Sequence, residues 1–271
     1  MGDNVQVRKV MIGFAATATA VVVAAVATDF GAAIYAEYRW SRALRQVADL
    51  HFDPWVGIIG FPFIPQARDH HYGEVEIRAS GVPHPEVGRA SLEATLHSVD
   101  LTESSWLIRP DAALPVDKLE SRIIVDSTHV GRLMGVDDLL VEAPAPESND
   151  ATGGTTESGI SGNRGVMFTG TPAAAGLDER VTVAVDLTVT GPAQSTLVMT
   201  ATGVLTGAGT ADVEVPEDKL AAVLEEFSAS MPGLRLPFGV APTAQGVRGS
   251  DVIIEGIAQD MTISLDGFRQ Q

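Results

Sequence analysis

Residues 181–190 read VTVAVDLTVT, and this segment decides the fold class. Its apolar residues alternate strictly with small or polar ones: Val181, Val183, Val185, Leu187 and Val189. A period of two is typical of a strand that buries one face, and such strands pair in antiparallel sheets with the other face solvated. Weaker copies of the pattern occur at 75–79, 92–101 and 261–265. The sequence therefore predicts an α+β fold that is mostly antiparallel β-structure.

Two short helices and one bend are expected between the strands. Ser127 is a predicted cap for a helix through 134, and Pro216 is expected to open a helix over 217–227 with acidic residues in its first turn. The apolar positions change parity within 92–101, which predicts a β-bulge near Ser98.

The N-terminus carries an uncharged run from Val10 to Thr28, preceded by Arg8 and Lys9 and ended by Asp29. Nineteen residues in a helix reach about 28 Å, close to the thickness of a bilayer core. Positive charge before the run predicts a cytoplasmic N-terminus and an exported domain. Residues 25–27 also form an A-x-A signal-peptidase pattern, so the run is either an uncleaved transmembrane anchor, which its length favours, or a signal peptide cleaved after Ala27.

An amphipathic helix is predicted to follow the run as far as Leu50. Its apolar face is expected to be Phe30, Ile34, Tyr38, Leu44 and Val47. This helix either packs on the domain or forms a stalk at the membrane surface.

The predicted domains are an N-terminal membrane segment (1–28) and an extracytoplasmic domain (29–271). A stretch at 144–165 has almost no large apolar side chains and predicts a flexible loop between two similar halves. The similarity rests on Pro62-Phe63 and Pro237-Phe238, each followed eighteen residues after its Phe by a glycine and a branched apolar residue.

Composition and motifs exclude several classes of function. A net charge of −17 argues against nucleic acid, and the absence of cysteine removes disulfides and thiolate chemistry. The catalytic and nucleotide-binding motifs GxSxG, GxxxxGK[ST] and HExxH do not occur. Adjacent His70 and His71 would point to opposite faces of a strand, so they do not predict a metal site. We expect neither an enzyme nor a cofactor.

Large apolar residues crowd around prolines at 54–65 and at 232–242. Proline cannot donate to a central ladder, so these segments belong at sheet edges or ends. There the apolar side chains either close the core as plugs or line the mouth of a cavity. Spacing alone favours plugs.

The proline-rich segments contain VGIIGFPFIPQ at 56–66 and Leu236-Pro237-Phe238, and the chain also has Gly73-x-Val75-x-Ile77 with Gly81-Val82, and Gly256-Ile257. Together these motifs resemble the LmeA-like family of actinobacterial envelope proteins. The resemblance implies a fold like the tubular lipid-binding domains, in which curved antiparallel sheets pack with helices. It also implies that the aromatic segments line the mouth of a lipid cavity. The expected lipid-binding residues are then Trp55, Ile59, Phe61, Phe63, Leu236 and Phe238.

The resemblance also implies a function in the cell envelope, on the extracytoplasmic side of the plasma membrane. The chain would bind a phospholipid, carry or present it, and support elongation of a lipomannan-type lipoglycan. The alternative is a non-catalytic scaffold that docks an envelope glycosyltransferase. The family offers no catalytic residue to carry over.

Overall fold

The computed structural model describes residues 3–101, 106–143 and 165–269. The predicted flexible loop at 144–165 lies outside the described residues except for Gly165. Four α-helices are described, α1 Asp3–Val47, α2 Phe63–Arg68, α3 Ser127–Met134 and α4 Glu217–Glu226, together with short 3-10 turns at Pro192–Gln194, Pro237–Gly239 and Leu265–Phe268. The described strands are β1 Trp55–Ile59, β2 His71–His84, β3 Gly88–Asp100, β4 Ala113–Asp126, β5 Leu140–Glu142, β6 Val166–Gly170, β7 Val181–Thr190, β8 Thr196–Leu205, β9 Ala229–Pro232, β10 Ala244–Arg248 and β11 Asp251–Ser264.

The strands form two antiparallel sheets, which confirms the predicted α+β class. A curled, half-barrel sheet has the order β1-β2-β3-β4-β11-β10, and a smaller sheet has the order β5-β6-β7-β8-β9. The two sheets meet where β10 crosses β7, and there the Gln245 amide donates to the Leu187 carbonyl (3.1 Å). One apolar core runs through both sheets. The two similar halves stay a prediction.

Several local predictions are confirmed and two are wrong in detail. The strand at 181–190, the helix at 127–134 and the helix from 217 are present. The cap of α3, however, is Asp126, whose carboxylate accepts the His129 N–H (3.0 Å). At Ser98 the strands keep their register and bend through a left-handed residue (φ 53°), and the register shift lies at Ala79–Val82 of β2 instead.

Helix α1 extends without interruption from the apolar run into the domain. Its side chains at 11–28 are all exposed, and the segment is long and apolar enough to cross a membrane. A helix that is hydrophobic all round needs an apolar environment. Beyond Thr28 the helix packs on the domain mainly through residues outside the predicted face, Ala36, Trp40 and Ala43, together with Leu44, the one fully buried member of that face.

The predicted apolar face of α1 is therefore wrong for its larger members. Phe30, Ile34 and Tyr38 are more than half exposed. The physical reason is the close approach of α1 to β1, which the alanines allow, and there the Ser41 hydroxyl donates to the Pro54 carbonyl (2.7 Å). The large side chains are left on the outside of the helix.

Candidate functional site

A buried carboxylate fixes helix α2 to the end of the apolar run. Asp29 is 6% exposed, and its two carboxylate oxygens accept the backbone N–H groups of Phe63 and Ile64, each at 2.8 Å. These are the first two amides of α2, which have no partner inside the helix. A carboxylate there also complements the positive end of the helix. The residue that ends the apolar run thus holds the 61–64 segment beside it.

An apolar pocket opens between α1 and α2. It has a volume of about 410 Å³ and is lined by Ala32, Phe63, Ile64, Ala67, Arg68, His70 and Trp106. Small-molecule sites typically have volumes of roughly 300–1,000 Å³ and mostly apolar walls. Three other pockets of the described structure are lined by more charged side chains, chiefly arginines in one, carboxylates in another and both in the third.

Aromatic rings make the wall of this pocket rigid and uncharged. The Phe63 ring stacks on Tyr72 (5.7 Å between centroids) and meets the edge of Trp106 (6.2 Å). The Tyr72 hydroxyl donates to the Trp106 carbonyl (2.5 Å). Burial raises the pKa of Tyr72 well above its ordinary value, so the phenol stays neutral. The wall can therefore contact hydrocarbon without burying a charge.

The rim of the pocket carries cationic and polar groups. Arg68 and His70 are exposed at its edge, and Arg68 forms no ion pair with any residue that the structure describes. A guanidinium can bind a phosphate through two parallel hydrogen bonds. An apolar cavity with an arginine at its rim has the chemistry of a site for an amphiphile with a phosphate headgroup.

The residues predicted from sequence fall into separate places. Phe63 lines the pocket, and Phe61, next to it, is 63% exposed with its ring stacked on Phe30 (5.7 Å). Trp55 lies on the outward, polar face of the large sheet, over the Arg78 guanidinium (4.9 Å). Ile59 is 44% exposed on that same face, paired with Glu74.

Leu236 and Phe238 lie away from this pocket, over the middle of the large sheet, and are 3% and 8% exposed. Beneath them a cross-strand row of small residues, Ala94, Ser121 and Gly256, leaves room for the segment. A Cβ on Gly256 would lie 2.6 Å from the Leu236 side chain, and the Ser121 hydroxyl donates to the Pro237 carbonyl (2.9 Å). Lipid contact by these two residues, and by Trp55 and Ile59, stays a prediction.

Sequence reasoning missed most of the pocket. Ala32, Ala67 and Arg68 carry no recognisable pattern, and Trp106 is distant in sequence from α2. In the sequence, Asp29 marks only the end of the apolar run. A carboxylate directly after an apolar run is a usable signal, because an acid so close to the bilayer needs a partner.

Polar side chains in the rest of the described structure pair with one another and do not form a second site of recognisable chemistry. On the outward face of the large sheet, Arg122 pairs with Glu120 and with the buried Glu255 (2.6 Å to the latter). Hydrogen bonds and charge from Lys118 and Arg122 outweigh burial and lower the pKa of Glu120. Across residues 3–101, 106–143 and 165–269, no three metal-ligating side chains converge.

A family model described as LmeA-like phospholipid-binding matches residues 27–257. The match begins near the end of the apolar run, includes α2, the pocket and the small sheet, and ends within β11 of the large sheet. No curated protein and no solved structure matches the chain.

Proposed function

This chain belongs to the LmeA-like phospholipid-binding family, and we propose that it binds a phospholipid at the outer surface of the plasma membrane, with an acyl chain in the pocket between α1 and α2. The observation that carries the proposal is the position of that pocket. Its wall residue Phe63 is hydrogen-bonded through its backbone to Asp29, the first residue after the apolar run of α1, a helix that is long and apolar enough to cross a bilayer.

The size of the pocket favours presenting a lipid over carrying it away. Removing a two-chain phospholipid from a bilayer costs on the order of 20 kcal/mol, at about 0.8 kcal/mol per CH₂ exposed to water. A pocket of about 410 Å³ is at the small end of the range for ligand sites, so it can shield only part of such a lipid. One chain would enter the protein while the rest of the lipid stays in the membrane.

The N-terminal helix supports an anchored protein. In its apolar run the hydroxyls of Thr17, Thr19 and Thr28 donate to the carbonyls four residues earlier (2.8–3.0 Å), so none presents an unpaired donor to lipid. With Arg8 and Lys9 on the cytoplasmic side, the domain would face outward. Cleavage after Ala27 is the alternative, and it would release a chain that still contains Asp29.

We further propose that the protein has no catalytic role and that the presented lipid supports lipoglycan elongation by an envelope glycosyltransferase. The family description names binding alone, and the polar groups at the pocket are a guanidinium and an imidazole on the rim. A glycosyltransferase that extends a lipid-linked glycan needs its acceptor held at the membrane surface. A lipid with one chain in this pocket would meet that need.

The proposal can be tested with variants that block the pocket or make it polar. Ala32→Trp places an indole where the acyl chain would lie, and Ile64→Gln puts an amide beside it, which a hydrocarbon chain cannot solvate. The control Gln46→Trp adds the same indole at an exposed position of the same helix. Each purified protein is incubated with phospholipid vesicles, recovered, and extracted for mass spectrometry, with circular dichroism on the same samples.

We expect the wild type and Gln46→Trp to retain phospholipid, and Ala32→Trp and Ile64→Gln to lose most of it while remaining folded. A full lipid load in both folded pocket variants would place the site elsewhere. Absence of lipid from the wild type would remove the presenting function and favour the scaffold.

A further inference from the structure

The apolar run of α1 is joined to the domain without a flexible linker. The helix is continuous from Asp3 to Val47, and Asp29, which is buried, directly follows the exposed side chains at 11–28. Each residue advances the helix by about 1.5 Å. Residues that contact Asp29 therefore lie within a few ångströms of the end of the apolar run. This holds for any tilt of the helix in the membrane.

Four exposed apolar side chains are held at this level. They are Phe30, Ile34, Phe61 and Ile64, which are 54%, 63%, 63% and 43% exposed. Phe30 and Ile34 are one turn apart on α1, and Phe61 stacks on Phe30. Ile64 is fixed by the hydrogen bond from its N–H to Asp29. We call this group the juxtamembrane patch.

After the patch, the exposed side chains of α1 are first aromatic and then cationic. Tyr35 and Tyr38 follow the patch, and then come Arg39 and Arg42, both exposed and without a carboxylate partner among the described residues. Membrane helices typically place apolar residues in the hydrocarbon core, aromatic residues at the level of the headgroups, and cationic residues next to the phosphates. The exposed side of α1 follows the same order. The chain as a whole has a net charge of −17, so these exposed arginines make this part of α1 locally positive in an acidic protein.

We propose that the juxtamembrane patch seats the domain on the outer leaflet of the bilayer that α1 crosses, so that the lipid pocket opens at the level of the headgroups. The inference rests on the proposed membrane span of α1. The occupant of the patch is the phospholipid surface itself, because the patch is continuous with the spanning segment. Lipid can then pass from leaflet to pocket without crossing water.

The test uses the absence of cysteine from the chain. Full-length Phe61→Cys protein is labelled with an environment-sensitive fluorophore and reconstituted into phosphatidylcholine vesicles that contain some lipid spin-labelled near the top of the acyl chain. Ile34→Cys reports on the same patch from α1. Leu140→Cys is the matched control, an apolar position of 43% exposure in the small sheet. Glu86→Cys is a second control, in the turn after β2. This strand begins beside Phe63 and is about 45 Å long, so position 86 is far from the patch.

We expect the spin-labelled lipid to quench the labels at 34 and 61 several-fold more than those at 86 and 140. Flotation of the vesicles in alkaline carbonate checks insertion separately. Equal quenching at all four positions in chain that floats would overturn the docking and leave the span intact. Failure to float would overturn the span and the docking together, whereas Ala32→Trp, which changes a pocket residue outside the patch, tests lipid binding independently.

Discussion

Two segments that share a Pro-Phe dipeptide have different surroundings in this molecule. Phe63 and Phe238 each follow a proline, and both are buried, at 2% and 8% exposure. Around Phe63 lie an apolar pocket and the exposed rings of Phe30 and Phe61. Around Phe238 lie Phe268 (5.6 Å between ring centroids) and a sheet surface of small residues.

The comparison shows that a proline next to a phenylalanine does not distinguish a plug from a binding surface. The two segments differ in the secondary-structure element against which each one packs. The row of Ala94, Ser121 and Gly256 lets the second segment close down on the sheet. The first segment instead packs against α1, at the point where the apolar run of that helix ends at Asp29. The strands that the structure describes do not cover the outer side of this segment.

The largest expected difference between the segments is in stability. Phe238→Ala should lower the free energy of unfolding by about 3–5 kcal/mol, because it leaves a cavity over the middle of the large sheet. Phe61→Ala removes an exposed ring and should change it by less than about 0.5 kcal/mol. Urea unfolding followed by circular dichroism measures both. Equal losses would mean that the two segments are the same kind of plug.

An intermediate effect is expected from the contact between the apolar run and α2. Asp29→Ala leaves the N–H groups of Phe63 and Ile64 without an acceptor, which should cost about 1–3 kcal/mol and loosen the pocket wall. Asp53→Ala breaks a half-exposed pair with Arg45 and should cost less than about 1 kcal/mol. If the two variants unfold alike, Asp29 does not organise α2.

The smallest effect is a pH dependence that comes from His84, the last residue of β2. His84 is buried beside Gly233, just before that segment, and burial lowers the pKa of its imidazole despite the Gly233 backbone and the Glu86 carboxylate, which favour the charged ring. The unfolded chain, with a histidine pKa of about 6.5, then binds a proton more readily than the folded one. The free energy of unfolding should therefore fall as the pH drops below about 6.5 and level off above it.

Thermal unfolding of wild type and His84→Gln between about pH 5 and 7.5 checks this, in a range above the ordinary carboxylate pKa values. The variant should show a flatter profile. Identical slopes would show that His84 is not the group responsible.

Local elements were predictable from the sequence because their signals are local. Strand β7 and helix α4 follow from the alternation at 181–190 and from a proline with acidic residues at 216–218. The face of α1 was not predictable, since alanines that allow close packing look neutral, whereas Phe30 and Ile34 look like core. The pocket depends on contacts such as Phe63 with Trp106, which are 43 positions apart.

The most direct test of lipid binding maps where an acyl chain touches the protein. Full-length protein in vesicles is loaded with a phospholipid that carries a photoreactive diazirine in its acyl chain, irradiated, digested, and analysed by mass spectrometry. We predict adducts on residues 30–34, 61–68 and 106–108, around the pocket and the juxtamembrane patch. Adducts confined to residues 234–240 and 265–268, or no adducts from a lipid that the protein retains, would contradict the assignment of the lipid site to the α1–α2 pocket.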